Sequence, residues 1–97
     1  MAYVFFTSGS TGVPKGIVME HWAVSSSQAA WAKRFDVGAQ TRWLQFSSYV
    51  FDAVIGETIS PLISGGCICI PSEAERLDDT AGFVNRFRVN AACLTPS

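Results

Sequence analysis

The side chains best suited to chemistry lie in one loop near the start of the chain. Its sequence is Thr7-Ser8-Gly9-Ser10-Thr11-Gly12-Val13-Pro14-Lys15-Gly16. Glycine lets the backbone adopt positive φ, so successive N–H groups can point toward one bound anion. The hydroxyl groups add hydrogen-bond donors, and Lys15 adds a mobile positive charge. This combination predicts a loop that binds a polyphosphate.

Two common nucleotide-binding motifs do not fit this loop. A Walker A motif requires Gly-Lys followed by Ser or Thr, whereas Pro14 precedes Lys15 and Gly16 follows it. The Gly-x-Gly-x-x-Gly pattern of dinucleotide-binding folds is also absent. A flexible Ser/Gly hairpin without a ligand is the plainer alternative. The density of hydroxyls and glycines directly after an apolar run favours phosphate binding.

The elements around this loop alternate between strand and helix, which predicts an α/β fold. Apolar and β-branched runs predict strands at residues 2–7, 16–20, 42–48, 67–70 and 91–95, and the first is expected to be buried. Helical patterns cover residues 21–35, 52–63 and 77–87. Gly65-Gly66 is expected to end the second helix.

The composition favours a piece of a larger fold over a free-standing small protein. The 97 residues are 48% hydrophobic and only 15% charged, against about 25% charged in typical domains. A chain of this size buries only roughly 60–70% of its unfolded surface, so a free-standing domain usually carries more charge. We therefore expect residues 1–97 to be a single partial domain that is truncated at both ends.

Several functional classes are excluded. The formal net charge is −1 and the basic residues are scattered, so no nucleic-acid-binding face is expected. No run of 18 apolar residues is present, so no membrane span is expected. The cysteines are three in number and the start lacks a basic signal region, which together favour a reducing, cytoplasmic location. The single histidine, His21, cannot by itself build a metal site or a triad.

Residues 3–16 resemble the phosphate-loop signature of adenylate-forming enzymes. That AMP-binding superfamily includes acyl-CoA synthetases, luciferases and the adenylation domains of nonribosomal peptide synthetases. Residues 44–53, Leu-Gln-Phe-Ser-Ser-Tyr-Val-Phe-Asp-Ala, are similar to the peptide-synthetase segment that opens the amino-acid pocket. Residues 62–73 and 76–79 resemble fungal peptide synthetases in particular. The likeness covers the whole chain, which would be a minority of an adenylation domain and part of its N-terminal subdomain.

The resemblance implies ATP-dependent activation of an amino acid. The products would be an aminoacyl-adenylate and pyrophosphate, and the aminoacyl group would then be loaded onto the phosphopantetheine of a carrier domain. The loop would hold the β and γ phosphates of ATP, with Mg²⁺ assisting. The residues carried over to this role are Thr7, Ser8, Gly9, Ser10, Thr11, Gly12, Lys15 and Gly16.

The resemblance also implies an amino-acid site. Asp52 would pair with the α-ammonium of the substrate, and Ala53, Gly56 and Cys93 would line the pocket for its side chain. From local pattern alone, Asp52 is equally well explained as the N-cap of the predicted second helix. Because Gly56 contributes no side chain to the wall of the pocket, a substrate with a bulky or long side chain is favoured.

The expected partners are the peptidyl carrier and condensation domains of a longer chain. The 97 residues alone are expected to be inactive, because the family's adenine-binding segment, hinge and C-terminal lysine are not among them. No catalytic side chain or metal ligand is assigned. An acyl-CoA synthetase or aryl-acid ligase of the same superfamily remains an alternative, as does a phosphate-binding module without catalysis.

Overall fold

The computed structural model describes residues 1–49 and 52–95 of the chain. Strands and helices alternate along most of it, which confirms the predicted α/β class. The elements are β1 (Tyr3–Thr7), β2 (Lys15–Met19), α1 (His21–Arg34), β3 (Arg42–Leu44), α2 (Ala53–Ile63), β4 (Cys67–Cys69), α3 (Glu73–Asp78) and α4 (Thr80–Arg86).

The first two strands form an antiparallel hairpin. Tyr3 pairs with Met19 at one end of the ladder, and Thr7 pairs with Lys15 at the other. The prediction that the first strand is buried is wrong, because every residue of β1 is half-buried or exposed and Phe6 is 69% exposed. Within the described residues the hairpin is a sheet of two strands by itself, so its apolar side chains find few neighbours to cover them.

The core lies around a second, parallel sheet. β3 pairs with β4, and Ala91 bridges to Trp43 in parallel orientation. Leu44, Cys69 and Phe83 are the buried residues of this core. Helix α2 makes the crossover between the two strands and packs on both of them, and α1 packs on α2. This arrangement places the N-terminus of α2 next to the end of β3.

Two of the predicted strands, the third and the fifth, are much shorter than expected. The third was predicted over residues 42–48 but ends at Leu44. The N–H of Gln45 still donates to the carbonyl of Cys69, but those of Phe46 and Ser47 donate to the side chain of Glu57 in α2. Only Ala91 of the predicted strand 91–95 forms a bridge among the described residues; Pro96 and Ser97 lie outside them. Strand β3 therefore ends where a side chain replaces backbone partners.

The predicted helix over residues 77–87 is two helices. Ser72 and Glu75 form a capping box, which starts α3 at Glu73. Asp79 then leaves helical geometry, with φ −148° and ψ 47°, and its side chain accepts a hydrogen bond from the N–H of Gly82 to start α4. Two polar caps thus override the apolar spacing, and Leu77 is left 74% exposed.

Helix α2 begins and ends where its sequence predicts, but the side chain at its N-cap makes no capping hydrogen bond. Gly65 adopts φ +80° directly after the C-cap, a conformation that favours glycine. Asp52 occupies the N-cap position with helical φ and ψ, and its side chain makes no capping hydrogen bond. The predicted N-cap position of Asp52 is therefore confirmed, but its carboxylate does not cap the helix.

The described part of the chain is open in shape. Its radius of gyration is 14.9 Å, whereas a self-contained domain of this length has about 12.5 Å. Large apolar side chains such as Phe6, Trp22 and Leu77 are more than two-thirds exposed. Among the helices of residues 1–49 and 52–95, none is long and apolar enough to cross a lipid bilayer.

The Glu75 carboxyl in the α3 capping box should titrate below the usual glutamate range. Its pKa is lowered first by the hydrogen bond from the backbone N–H of Ser72 and next by the one from Arg86. A carboxyl with a depressed folded-state pKa stabilises the fold above its unfolded pKa of about 4.3, and this contribution is lost as the pH falls through the folded-state pKa. Carbon-13 NMR titration of the carboxyl measures this pKa.

Arg86→Met provides the control for this titration. It removes the cation but keeps the hydrogen bond from Ser72, so the Glu75 pKa should rise only part of the way to its ordinary value. An ordinary or raised Glu75 pKa in the native protein would contradict the capping box.

Candidate functional site

The hydroxyl-rich loop joins β1 to β2, and two glycines set its shape. The N–H of Gly12 donates to the carbonyl of Gly9 at 3.0 Å, which closes a tight turn. Gly12 has φ +81°, a conformation that other residues rarely adopt. A Cβ at Gly9 would collide with the carbonyl oxygen of Val13. The backbone of this loop is therefore built around the absence of side chains at these two positions.

The polar side chains of the loop have no side-chain hydrogen-bond or ion-pair partners among the described residues. Thr7, Ser8, Ser10, Thr11 and Lys15 are all exposed. In residues 1–49 and 52–95, no side-chain hydrogen bond or ion pair involves any of them. Four hydroxyls and one ammonium group thus surround a turn whose conformation is already fixed. Such an arrangement can bind an anion without first breaking internal bonds.

The predicted amino-acid-site residues lie around one cavity. Its volume is about 280 Å³, and it lies between the first turns of α2, the facing side of α1 and the segment after α4. Its lining residues are Gln28, Trp31, Trp43, Asp52, Ala53, Gly56, Glu57 and Cys93. Asp52, Ala53, Gly56 and Cys93 are thereby brought together, although 41 positions separate Asp52 from Cys93 in the sequence.

A second cavity of about 520 Å³ lies between the hairpin and the start of α2. Its lining residues are Tyr3, Phe5, Phe6, Thr7, Ser8, Ile17, Met19 and Asp52. Asp52 therefore borders both cavities, while Thr7 and Ser8 connect the second one to the hydroxyl-rich loop. The other loop residues do not line either cavity. The two predicted sites meet at the Asp52 position.

Glu57 anchors the first turns of α2 to the end of β3. It is only 1% exposed. Its carboxylate accepts hydrogen bonds from the N–H of Ser47 at 3.0 Å and from the N–H of Phe46 at 3.3 Å. The side-chain amide of Gln45 donates to it at 3.4 Å, and Arg76 donates in turn to the amide oxygen of Gln45 at 3.0 Å. This network holds the two ends of the connection that carries Asp52.

The sequence pattern does not predict four of the eight residues that line the first cavity. Gln28 and Trp31 come from α1, Trp43 from β3, and Glu57 from the second turn of α2. The i, i+3 spacing of Gln28 and Trp31 places them on one helix face, but the sequence does not say what that face meets. Glu57 follows Asp52 by five residues, and nothing in its neighbourhood of the sequence predicts its burial.

The cysteines do not form a metal site or a disulfide. Cys67, Cys69 and Cys93 are all free thiols. Burial is the main cause that raises the pKa of Cys69, and the neighbouring Cys67 adds to it, so the thiol stays protonated and packs as a small apolar group. No group of three metal-ligating side chains occurs within residues 1–49 and 52–95.

Sequence comparison identifies the family. The AMP-binding enzyme family matches residues 1–97, and the chain belongs to it. It is 56% identical over 95 residues to the nonribosomal peptide synthetase chyA of Penicillium rubens. It is 53% identical over 96 residues to the nonribosomal peptide synthetase atnA of Emericella nidulans. These matches cover 98% and 99% of this chain but only 4% and 1% of the two relatives.

Solved structures share the fold. The adenylation domain AlmE of Vibrio cholerae, in complex with glycyl-adenosine-5'-phosphate, is 32% identical with a TM-score of 0.83 over 94% of this chain and 17% of its own. A four-domain nonribosomal peptide synthetase bound to AMP and glycine is 28% identical with a TM-score of 0.84, over 98% of this chain and 7% of its own. The architecture is that of part of the N-terminal subdomain of adenylation domains.

Replacing Glu57 with Ala should strongly destabilise the protein. The substitution leaves the N–H groups of Phe46 and Ser47 without their acceptor in a partly buried place. We expect the free energy of unfolding to fall by about 3 kcal/mol, measured by urea denaturation. Glu73→Ala is the control, because Glu73 is exposed and its loss should cost at most about 0.5 kcal/mol. Equal effects of the two substitutions would contradict the anchoring role of Glu57.

Proposed function

We propose that residues 1–97 form part of an adenylation domain that activates an amino acid with ATP. The observation that carries this proposal is the position of Asp52 between the two cavities. One cavity has the size and walls of a pocket for a side chain. The other is shared with Thr7 and Ser8 at the base of the hydroxyl-rich loop. The fungal peptide synthetases among the relatives and the glycine-bound and AMP-bound neighbours support the same activity.

Asp52 would bind the α-ammonium of the substrate. Its side chain is not used as a cap, and no ion pair within residues 1–49 and 52–95 involves it. Such a carboxylate is suited to a charge-assisted hydrogen bond from an ammonium. In an α-amino acid, only two bonds of about 1.5 Å separate the nitrogen from the carboxyl carbon. An amino acid held by Asp52 can therefore place its side chain in the first cavity and its carboxylate toward the second.

In the reaction, a carboxylate oxygen of the amino acid attacks the α-phosphorus of ATP. A bond forms between that oxygen and phosphorus, the bond from phosphorus to the bridging oxygen breaks, and pyrophosphate leaves with the electron pair. The chain supplies positioning and charge stabilisation for this step. The loop residues Thr7, Ser8, Ser10, Thr11 and Lys15 would bind the β and γ phosphates, and Gly9, Gly12 and Gly16 would let the backbone approach them.

Mg²⁺ is proposed as the companion of ATP and not as a resident metal of this segment. Residues 8–15 contain hydroxyls and one ammonium but no carboxylate, and Mg²⁺ prefers oxygen anions. The phosphates themselves would supply its ligands here. When bound with ATP, the ion would neutralise phosphate charge, and the residues of this loop would hold the nucleotide around it.

The exposed apolar surface supports the proposal that this segment is one part of a larger adenylation domain and is inactive alone. Phe6, Val18 and Leu77 would then be covered by the remainder of that domain. We further propose that the aminoacyl group passes to the phosphopantetheine of a peptidyl carrier domain beside a condensation domain. The free cysteines and the need for ATP support a cytoplasmic location.

Lys15→Ala in the complete adenylation domain should weaken its use of ATP. The substitution removes the positive charge at the end of the loop, so we expect the KM for ATP to rise about 10- to 100-fold, measured by ATP–pyrophosphate exchange. Lys33→Ala is the control, because Lys33 is exposed near the end of α1 and away from the loop. An unchanged KM for ATP in Lys15→Ala would argue against a phosphate-binding loop.

Asp52→Asn should weaken amino-acid binding and leave ATP binding intact. The substitution keeps the shape of the side chain but removes the charge that pairs with the ammonium. We expect the KM for the amino acid to rise by about 100-fold, with the KM for ATP nearly unchanged, and Asp78→Asn to behave as the native protein. Exchange driven by an aryl or fatty acid, and indifferent to Asp52→Asn, would instead identify an acyl or aryl-acid ligase.

A further inference from the structure

The space beside Gly56 is occupied by an indole ring. A Cβ at position 56 would lie 3.6 Å from Cε2 and 3.7 Å from Cζ2 of Trp31, which is van der Waals contact. A methyl group would just fit there, and any larger side chain would meet the ring. The expectation that Gly56 opens room for a bulky substrate is therefore corrected: at this point the glycine makes room for Trp31.

The position of Trp31 is fixed by the contact between the two helices. Ser60 is fully buried and donates its hydroxyl hydrogen to the side-chain oxygen of Gln28 at 2.6 Å. Gln28 precedes Trp31 by three residues and Ser60 follows Gly56 by four, so this bond sets the register that brings Trp31 opposite Gly56. The ring of Phe35 also packs on that of Trp31, with centroids 4.6 Å apart.

Gly56, which the indole contacts, lies about one helical turn from Asp52. Gly56 follows Asp52 by four positions, which is about 6 Å along a helix axis. A substrate whose ammonium meets Asp52 would direct its side chain along this turn, past Ala53 and toward the ring. Trp31 and Gly56 both line the cavity of about 280 Å³ that would receive it. The ring of Trp31 is thus placed to limit how far the side chain can reach.

We propose that Trp31 is a specificity-determining residue that sets the depth of the side-chain pocket. This inference rests on the proposed function and adds to it a wall that comes from α1 and not from the segment around Asp52. Trp31 would therefore limit the length of the substrate's side chain. Amino acids whose side chains end at the indole are accepted, and those with longer side chains are excluded unless Trp31 is replaced by a smaller residue.

The test uses the complete adenylation domain and ATP–pyrophosphate exchange with alanine, leucine, phenylalanine and tryptophan. In Trp31→Ala, the ratio of kcat/KM for tryptophan to that for alanine should rise at least about tenfold over the native ratio. Trp22→Ala is the matched control, since Trp22 lies on the same helix but is 73% exposed, and it should leave the ratio unchanged.

Two further variants keep the test decisive if Trp31→Ala does not fold. Trp31→Phe retains an aromatic ring and should shift the ratio in the same direction by a smaller factor. Gly56→Leu should impair exchange in the native background, and combining it with Trp31→Ala or Trp31→Phe should restore part of the loss. Folded Trp31 variants with the native ratio, or no such restoration, would overturn the inference. If the native domain exchanges with no amino acid, the proposed function is overturned. If it exchanges normally but the folded Trp31 variants keep the native ratio, only the inference about Trp31 is overturned.

Discussion

The buried carboxylate of Glu57 is the interaction on which the geometry of the site depends. It binds the N–H groups of Phe46 and Ser47, so it ends β3 and fixes the beginning of α2 in one step. A buried charge is costly unless several hydrogen bonds compensate for it. Here the compensation comes from two backbone donors and from Gln45, which Arg76 holds in turn. The position of Asp52 relative to the sheet follows from this anchor.

The first turns of α2 both line the cavities and anchor the helix to the sheet. Asp52 borders both cavities, and Gly56 allows α1 to approach. Glu57 on the next position faces the sheet and is saturated with hydrogen bonds from the chain itself. Two acidic residues five positions apart therefore have different roles. Glu57 accepts hydrogen bonds that stabilise the fold, whereas the Asp52 carboxylate makes no capping bond and can bind a ligand. Glu57 and Asp52 are distinguished by their burial and by the number of hydrogen bonds they accept from the chain, although both are acidic.

Features decided by local chemistry could be predicted from the sequence. The turn around Gly9 and Gly12, the end of α2 at Gly65, and the gathering of hydroxyls beside Lys15 all follow from neighbouring residues. The burial of β1 could not be predicted, because it depends on which elements cover the strand. The break at Asp79 was missed because two short polar caps outweigh the apolar spacing there. Trp31 was missed as a cavity residue because its contact with Gly56 joins two separate helices.

The order in which the sheet can be completed follows from how Arg42 is held. Its backbone N–H donates to the side chain of Asn90, and its guanidinium donates to the carbonyl of Phe87. Contacts that span about 45 residues are slow to close, whereas a hairpin needs only its own two strands. During synthesis on the ribosome, β1 and β2 can therefore pair soon after they emerge. Strand β3 can make these two contacts only after residues beyond α4 have left the exit tunnel.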